Sequence, residues 1–189
     1  YMAYFYLEDI SGLGNTIKYT KIPSSNPTTH TLYYSTDEIN WTLWGKWWSS
    51  RGDLTYNLPA NVKGYFKGEK FYINDYAGMF ATEHEDRLLN SGGYLTSVTR
   101  NTDDSTPVEG YECEFYHLFE NMKSLKTPPN LSNVTSIGEY GLKNCFSGCT
   151  SLTTPPNLMN VTNRRTWVLY SCFFGCTSLT TPPDLSNLT

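Results

Sequence analysis

In the second half of the chain, apolar residues return three times at the spacing i, i+3, i+4, i+7. The sets are Phe115, Leu118, Phe119 and Met122, then Leu142, Cys145, Phe146 and Cys149, then Leu169, Cys172, Phe173 and Cys176. That spacing is the stripe of an amphipathic helix. It predicts three short helices, each stopping at Asn121, Gly148 or Gly175, residue types that tolerate the left-handed conformation at a helix C-terminus. Beyond each stop lies an inward Leu125, Leu152 or Leu179 and then a proline pair. The prolines lack a backbone donor and push the preceding Thr127, Thr154 or Thr181 towards extended geometry, so a very short strand is predicted in each unit. Leu131, Leu158 and Leu185, followed by Val134, Val161 and Leu188, bring the chain back to the core.

These sets belong to a repeat. The stretches "LFENMKSLKTPPNLSNVT", "CFSGCTSLTTPPNLMNVT" and "CFFGCTSLTTPPDLSNLT" align without a gap, and Cys145 to Cys172 measures the period as 27 residues. Such a period lies within the range of roughly 20–29 residues found in leucine-rich repeats. A single unit cannot bury its own apolar face, so stability has to come from its neighbours. Residues 111–189 are therefore expected to form a short α/β leucine-rich-repeat solenoid of about three 27-residue repeats, the last incomplete.

The first hundred residues follow a different pattern. Aromatic and β-branched runs such as "TIKYTKI", "TLYYS", "WTLWGKWW" and "VKGYFKGEKFYI" are separated by Gly, Pro, Asn and Asp at regular intervals. Short punctuated strands of this kind predict an antiparallel β-sandwich-like domain over residues 1–99. The segment "YAGMFATEHEDRLLNSGG" also fits a helix capped by Gly92. The polar stretch at residues 100–110 is the expected linker, which makes the predicted chain a two-domain protein.

Charge and composition narrow the function. With 14 Lys+Arg against 18 Asp+Glu the net charge is −4, which gives no general reason to hold nucleic acid or an anionic membrane. No apolar run approaches the roughly 20 residues that span a bilayer. The chain does not begin with Met and stops inside a unit, and so reads as a fragment or processed product. Three readings of the C-x-x-x-C pairs Cys145/Cys149 and Cys172/Cys176 are open: core packing, a disulfide, or a metal site. The first unit carries Leu118 and Met122 at the paired positions, which favours packing.

Catalytic signals are sparse. His30, His84 and His117 adjoin no nucleophile motif, "EHED" at Glu83–Asp86 reads as a solvated charge cluster, and no phosphate-loop, dinucleotide or zinc-hydrolase motif occurs. No enzymatic activity, cofactor or metal is expected. "STDEINW" reads as a hairpin turn, and "RGD" at Arg51–Asp53 as a chance tripeptide. The N-x-[ST] sequons at Asn40, Asn130, Asn133, Asn160 and Asn187 come mostly from the repeat itself and read as stacking turns.

The units "NVTSIGEYGLKNCFSGCTSLTTPPNL" and "NVTNRRTWVLYSCFFGCTSLTTPPDL" resemble BspA-type leucine-rich repeats, whose pattern runs through I-G-x-x-A-F-x-x-C-x-x-L. The front part, with "YFYLED" and "LYYSTDEINWTLWG", resembles the β-rich module that often precedes such repeats in proteins of Bacteroidales and their phages. The chain departs from the pattern at Gly141 and Val168, where Ala is usual, and at Arg164–Arg165, where Ile-Gly is expected. The resemblance implies extracellular, cell-surface or virion-surface display, and a non-enzymatic adhesion or recognition module binding a host-cell or bacterial surface protein or glycan. The alternative is a structural component of a surface assembly or phage tail or fibre, partnered by further copies or neighbouring chains.

Subtracting one unit from another locates candidate contacts. Ser136-Ile137-Gly138-Glu139-Tyr140 becomes Asn163-Arg164-Arg165-Thr166-Trp167 in the next unit. Arg and Trp are enriched at binding hot spots, so Arg164, Arg165 and Trp167 are candidate ligand contacts. In the front part, Trp41, Trp44, Trp47 and Trp48 are candidates for an aromatic platform. Alternating faces keep Trp47 and Trp48 from both being buried on a one-sided strand.

Overall fold

Alternation of apolar and polar residues sets two layers of strands. The computed structural model describes residues 4–20, 29–48, 52–70, 78–101, 105–163 and 165–189. In chain order the elements are β1 (Phe5–Asp9), β2 (Asn15–Thr20), β3 (Thr29–Ser35), β4 (Thr42–Trp48), β5 (Leu54–Leu58), β6 (Lys63–Lys70), β7 (Met79–Thr82), β8 (Leu89–Gly92), α1 (Thr96–Arg100), β9 (Val108–Glu109) and β10 (Val134–Ser136). One sheet runs β4-β3-β6-β1-β8 and a second runs β5-β2-β7, both with antiparallel pairs. Along β1 the residues Phe5, Leu7 and Asp9 are buried while Tyr6 and Glu8 are half-buried, the period-2 signature of a one-sided sheet. Phe5 and Phe66 from the larger sheet meet Phe80 from the smaller one at centroid distances of 5.4 and 5.6 Å. The segment that also fitted a helix before Gly92 instead forms β7 and β8, one in each sheet.

The expected α/β leucine-rich-repeat solenoid is not formed. The protein is nearly all β: the described residues form ten strands and a single five-residue helix, α1. The 27-residue units are built from consecutive turns. In the first unit the N–H groups of Tyr116, Leu118, Glu120 and Met122 donate to the carbonyls three residues back. The alternate N–H groups, of Phe115, His117, Phe119 and Asn121, donate to Gly141, Lys143, Cys145 and Ser147 of the next unit at 2.7–3.0 Å. Left-handed residues recur every fourth position, at Cys113, His117 and Asn121, then Tyr140, Asn144 and Gly148, then Trp167, Ser171 and Gly175. A left-handed residue interrupts an α-helix.

Physics favours the turns. An α-helix spends its N–H groups on itself, and one this short is marginal in water. The turn ribbon keeps half of its donors for the neighbouring unit. It also repeats every four residues, which places side chains inward at nearly the spacing of a helical stripe.

The units prolong both layers. The N–H of Phe80 in β7 donates to the Leu118 carbonyl at 2.8 Å, joining the smaller sheet to the first ribbon. On the other layer Leu89 N–H donates to Ser124 O and Lys126 N–H to Leu89 O, both at 2.8 Å, and Thr153 N–H continues to Lys126 O at 3.1 Å. Between the layers runs one apolar core, from Phe5 to Cys172. Its axis is a stack of parallel rings: Phe80 on Phe119 at 5.7 Å, Phe119 on Phe146 at 5.5 Å and Phe146 on Phe173 at 5.8 Å.

Repeated polar residues tie the units together. Asn133 Nδ2 donates to Thr96 Oγ1, and the equivalent Asn160 and Asn187 donate to the carbonyls of Ser132 and Met159. The cysteines form no disulfide, and Cys113, Cys145, Cys149 and Cys172 are buried. The Cys149 and Cys176 thiols donate to the Phe119 and Phe146 carbonyls of the preceding unit. Burial pushes the Cys145, Cys149 and Cys172 thiols well up, away from the reactive thiolate. In the folded protein an alkylating reagent at pH 8 is expected to modify only the half-buried Cys176, and all five after unfolding. Mass spectrometry counts the adducts; rapid native labelling of Cys145 or Cys172 would contradict the packing.

Candidate binding site

The residues that differ between units lie together on one edge. Residues 109–112, 136, 138, 139, 163, 165 and 166 line an open cavity of about 400 Å³, with Glu109, Glu112, Glu139, Ser136, Asn163, Arg165 and Thr166 contributing polar groups. Its size falls within the usual range for small-ligand sites. One substitution between units accounts for the opening. At Gly138 an added Cβ would stand 2.3 Å from the Tyr111 carbonyl carbon and 2.5 Å from the Glu112 nitrogen, so the first unit rests directly on that glycine. In the third unit the same position is Arg165, which forbids so close an approach. The spacing responds: Cys113 N–H reaches Glu139 O at 2.9 Å, whereas the equivalent bond from Tyr140 N–H to Thr166 O is 3.4 Å. Asn163 bridges the gap, accepting from Ile137 N–H at 3.0 Å and donating to Ile137 O at 3.4 Å.

An aromatic row continues from the cavity. Tyr140 follows Glu139 and Trp167 follows Thr166 at equivalent positions, and both are held in the left-handed region, at φ 58° and 61°. It is the left-handed position that Cys113 occupies in the first unit, so it belongs to the regular geometry of the ribbon. Trp167 and Tyr170 are each 51% exposed and meet edge to face at 5.1 Å, and Phe174 is 75% exposed. Lys143 places its ammonium 5.2–5.7 Å from the ring centroids of Tyr116, Tyr140 and Tyr170. Desolvation, and then the adjacent Glu139 carboxylate, push the Tyr140 phenol above its ordinary value.

Behind the cavity the backbone is clamped. Glu114, 1% exposed, accepts from Arg100 Nε at 2.7 Å, Arg100 Nη2 at 2.8 Å, Thr99 Oγ1 at 2.8 Å and Tyr111 N–H at 3.2 Å. The Arg100 guanidinium also lies 4.6 Å from the Tyr111 ring centroid, and the Tyr111 hydroxyl donates to Thr99 O. Burial drives that phenol's pKa far up. These contacts fix Tyr111 and Glu112 as one wall of the cavity.

Of the sequence candidates, Arg165 lines the cavity and Trp167 begins the row, while Arg164 lies outside the described residues. The tryptophans of the front part do not converge. Trp44 turns towards Phe66 at 5.3 Å and Phe80 at 6.4 Å, and its Nε1 donates to Thr55 O. Trp41 is half-buried beside the Tyr4 ring at 4.6 Å, under the Lys67 ammonium at 4.4 Å, with its Nε1 donating to Glu38 O. The backbones of Trp47 and Trp48 pair with His30 and Thr29. Their side chains, like Arg51 of the RGD tripeptide, lie outside the described residues. Sequence reasoning missed Tyr140, Lys143, Tyr170, Phe174 and the three glutamates. Extending the unit comparison seven residues past Trp167 would have found Tyr170 and Phe174, which stand where the second unit has Lys143 and Ser147.

The histidines are separate from this edge and from one another. His30 is buried, with Nδ1 2.7 Å from the Tyr19 hydroxyl and Nε2 2.7 Å from Val98 O, whereas His117 pairs with Glu120. Among the described residues no group of three His, Cys, Asp or Glu is placed to hold a metal ion, and no helix is long and apolar enough to cross a membrane. No family model, curated protein or solved structure matches the chain.

Proposed function

We propose that the protein is a non-enzymatic recognition module that binds a partner's surface through the edge formed by Arg165, Trp167, Tyr170 and Phe174. The observation that carries this reading is the polar cavity opened where Arg165 replaces the glycine of the preceding unit, with Trp167 two residues beyond it, placed where the units differ and not where they repeat. Display on a cell or virion surface belongs to the proposal and rests on the likeness of the units to BspA-type surface proteins, not on their architecture.

Trp167 separates recognition from scaffolding. Trp167→Asn puts a residue that tolerates the left-handed region where a bulky ring is strained, so thermal stability is expected to hold or rise slightly. Binding is expected to fall at least about tenfold, the scale of a lost hot-spot aromatic. Thermal unfolding and binding to a glycan and surface-protein array measure the two. Unchanged binding to an identified ligand would sink the assignment of this edge.

A further inference from the structure

The first element of a more specific reading is the charge inside the cavity. Among the described residues its lining holds three carboxylate residues, Glu109, Glu112 and Glu139, and one guanidinium residue, Arg165. An anionic ligand such as a sialylated or sulfated saccharide would meet a net negative wall, whereas a protonated amine would complete it.

The second element is the chemistry of the row. Lys143 already holds its ammonium among the rings of Tyr116, Tyr140 and Tyr170, so this surface hosts a cation through ring faces within the molecule itself. Trp167 and Tyr170 extend the same row and are half open to solvent. The third element is shape. The cavity is polar, with Ser136, Asn163 and Thr166 beside the charged groups, which suits hydroxyls and does not suit the apolar anchor of a typical protein hot spot.

We infer that the ligand of this edge is an oligosaccharide bearing a free amino group, its ring face stacked on Trp167, which Tyr170 supports edge to face, and its ammonium and hydroxyls seated among Glu112, Glu139 and Arg165. The inference rests on the recognition reading above and adds the class of ligand. Glu139 follows as the main charge partner of the amine, because it is the half-buried carboxylate of the three and lies next to Tyr140.

Titration calorimetry on the full chain tests it with three probes: a glucosamine oligomer, its N-acetylated counterpart, and a sulfated oligosaccharide of similar length. The glucosamine oligomer is expected to bind at least about tenfold more tightly than the other two, with affinity falling as salt is raised and as pH passes above the amine's pKa. Glu139→Gln is expected to remove most of that preference, the affinity for the glucosamine oligomer falling to about that of the N-acetylated one. Trp167→Ala should weaken all saccharide binding. Equal or tighter binding of the acetylated or sulfated probe, with loss in Trp167→Ala, would overturn the amine preference and leave the recognition reading intact. Should none of the three bind while the chain captures a protein on the array through Trp167, the saccharide class is overturned. No binding of any kind would overturn both.

Discussion

Replacing Phe119 by alanine is expected to lower the unfolding free energy by about 3–5 kcal/mol, the cost of removing a fully buried aromatic ring. Phe119 is 0% exposed and lies between Phe80 and Phe146 with interplanar angles of 14° and 13°, and Phe5 approaches it at 5.6 Å. It is therefore the ring through which the two-sheet body and the repeated units share one core. Truncating it opens a cavity on both sides, and little nearby can collapse, because the backbone around Phe119 is held by hydrogen bonds to Cys145 O and from Met122 N–H. Urea denaturation followed by tryptophan fluorescence measures the loss. Phe174→Ala, at an exposed ring of the adjacent row, serves as the contrast and is expected to change stability by less than about 0.5 kcal/mol. A single transition is expected for the native chain. A loss below about 1 kcal/mol in Phe119→Ala, or two separate transitions in the native chain, would show that the continuous core does not couple the two parts.

The inward positions along the units were legible from spacing: Phe119, Phe146, Leu125, Leu152, Leu131 and Leu158 are all buried. Their backbone was not. The stripe i, i+3, i+4, i+7 satisfies both an α-helix and a ribbon that turns every fourth residue, and hydrophobic periodicity alone does not separate them. What separates them is where the N–H groups go, and that depends on a neighbour 27 residues away. Gly148 and Gly175 pointed to a left-handed residue but were assigned to a helix stop. The same conformation at His117, Asn144 and Ser171, four residues earlier in each unit, has no glycine to announce it. The site was legible in part for the opposite reason. Comparing units removes what stacking requires, and Arg165 against Gly138 is such a difference. Glu109 and Glu112 escaped because they precede the comparison and reach the cavity only through the fold, and Glu139 because the comparison singled out what replaced it.

Glu114→Ala is expected to cost about 3–5 kcal/mol, as breaking a buried ion pair from one side does. Alanine would leave the Arg100 guanidinium without its carboxylate and the Thr99 hydroxyl and Tyr111 N–H without the acceptor each now uses. Those stranded groups, more than the lost attraction, set the size of the effect. Pairing Arg100→Met with Glu114→Leu removes the charges together and should recover most of the loss, since a well-packed apolar pair often equals a buried salt bridge. A double-mutant cycle by chemical denaturation measures both, and a cost below about 1 kcal/mol for Glu114→Ala would show that the pair holds nothing. The consequence reaches the candidate site. Tyr111 and Glu112 form the cavity wall that rests on Gly138, and Glu114 fixes that wall through the Tyr111 N–H and Arg100. If the wall positions the ligand, Glu114→Ala weakens binding even at temperatures where the chain remains folded. The apolar pair, which restores stability without restoring the hydrogen bond to Tyr111, leaves binding weak. Stability and recognition then part company in one set of variants, which a purely structural role for this edge would not produce.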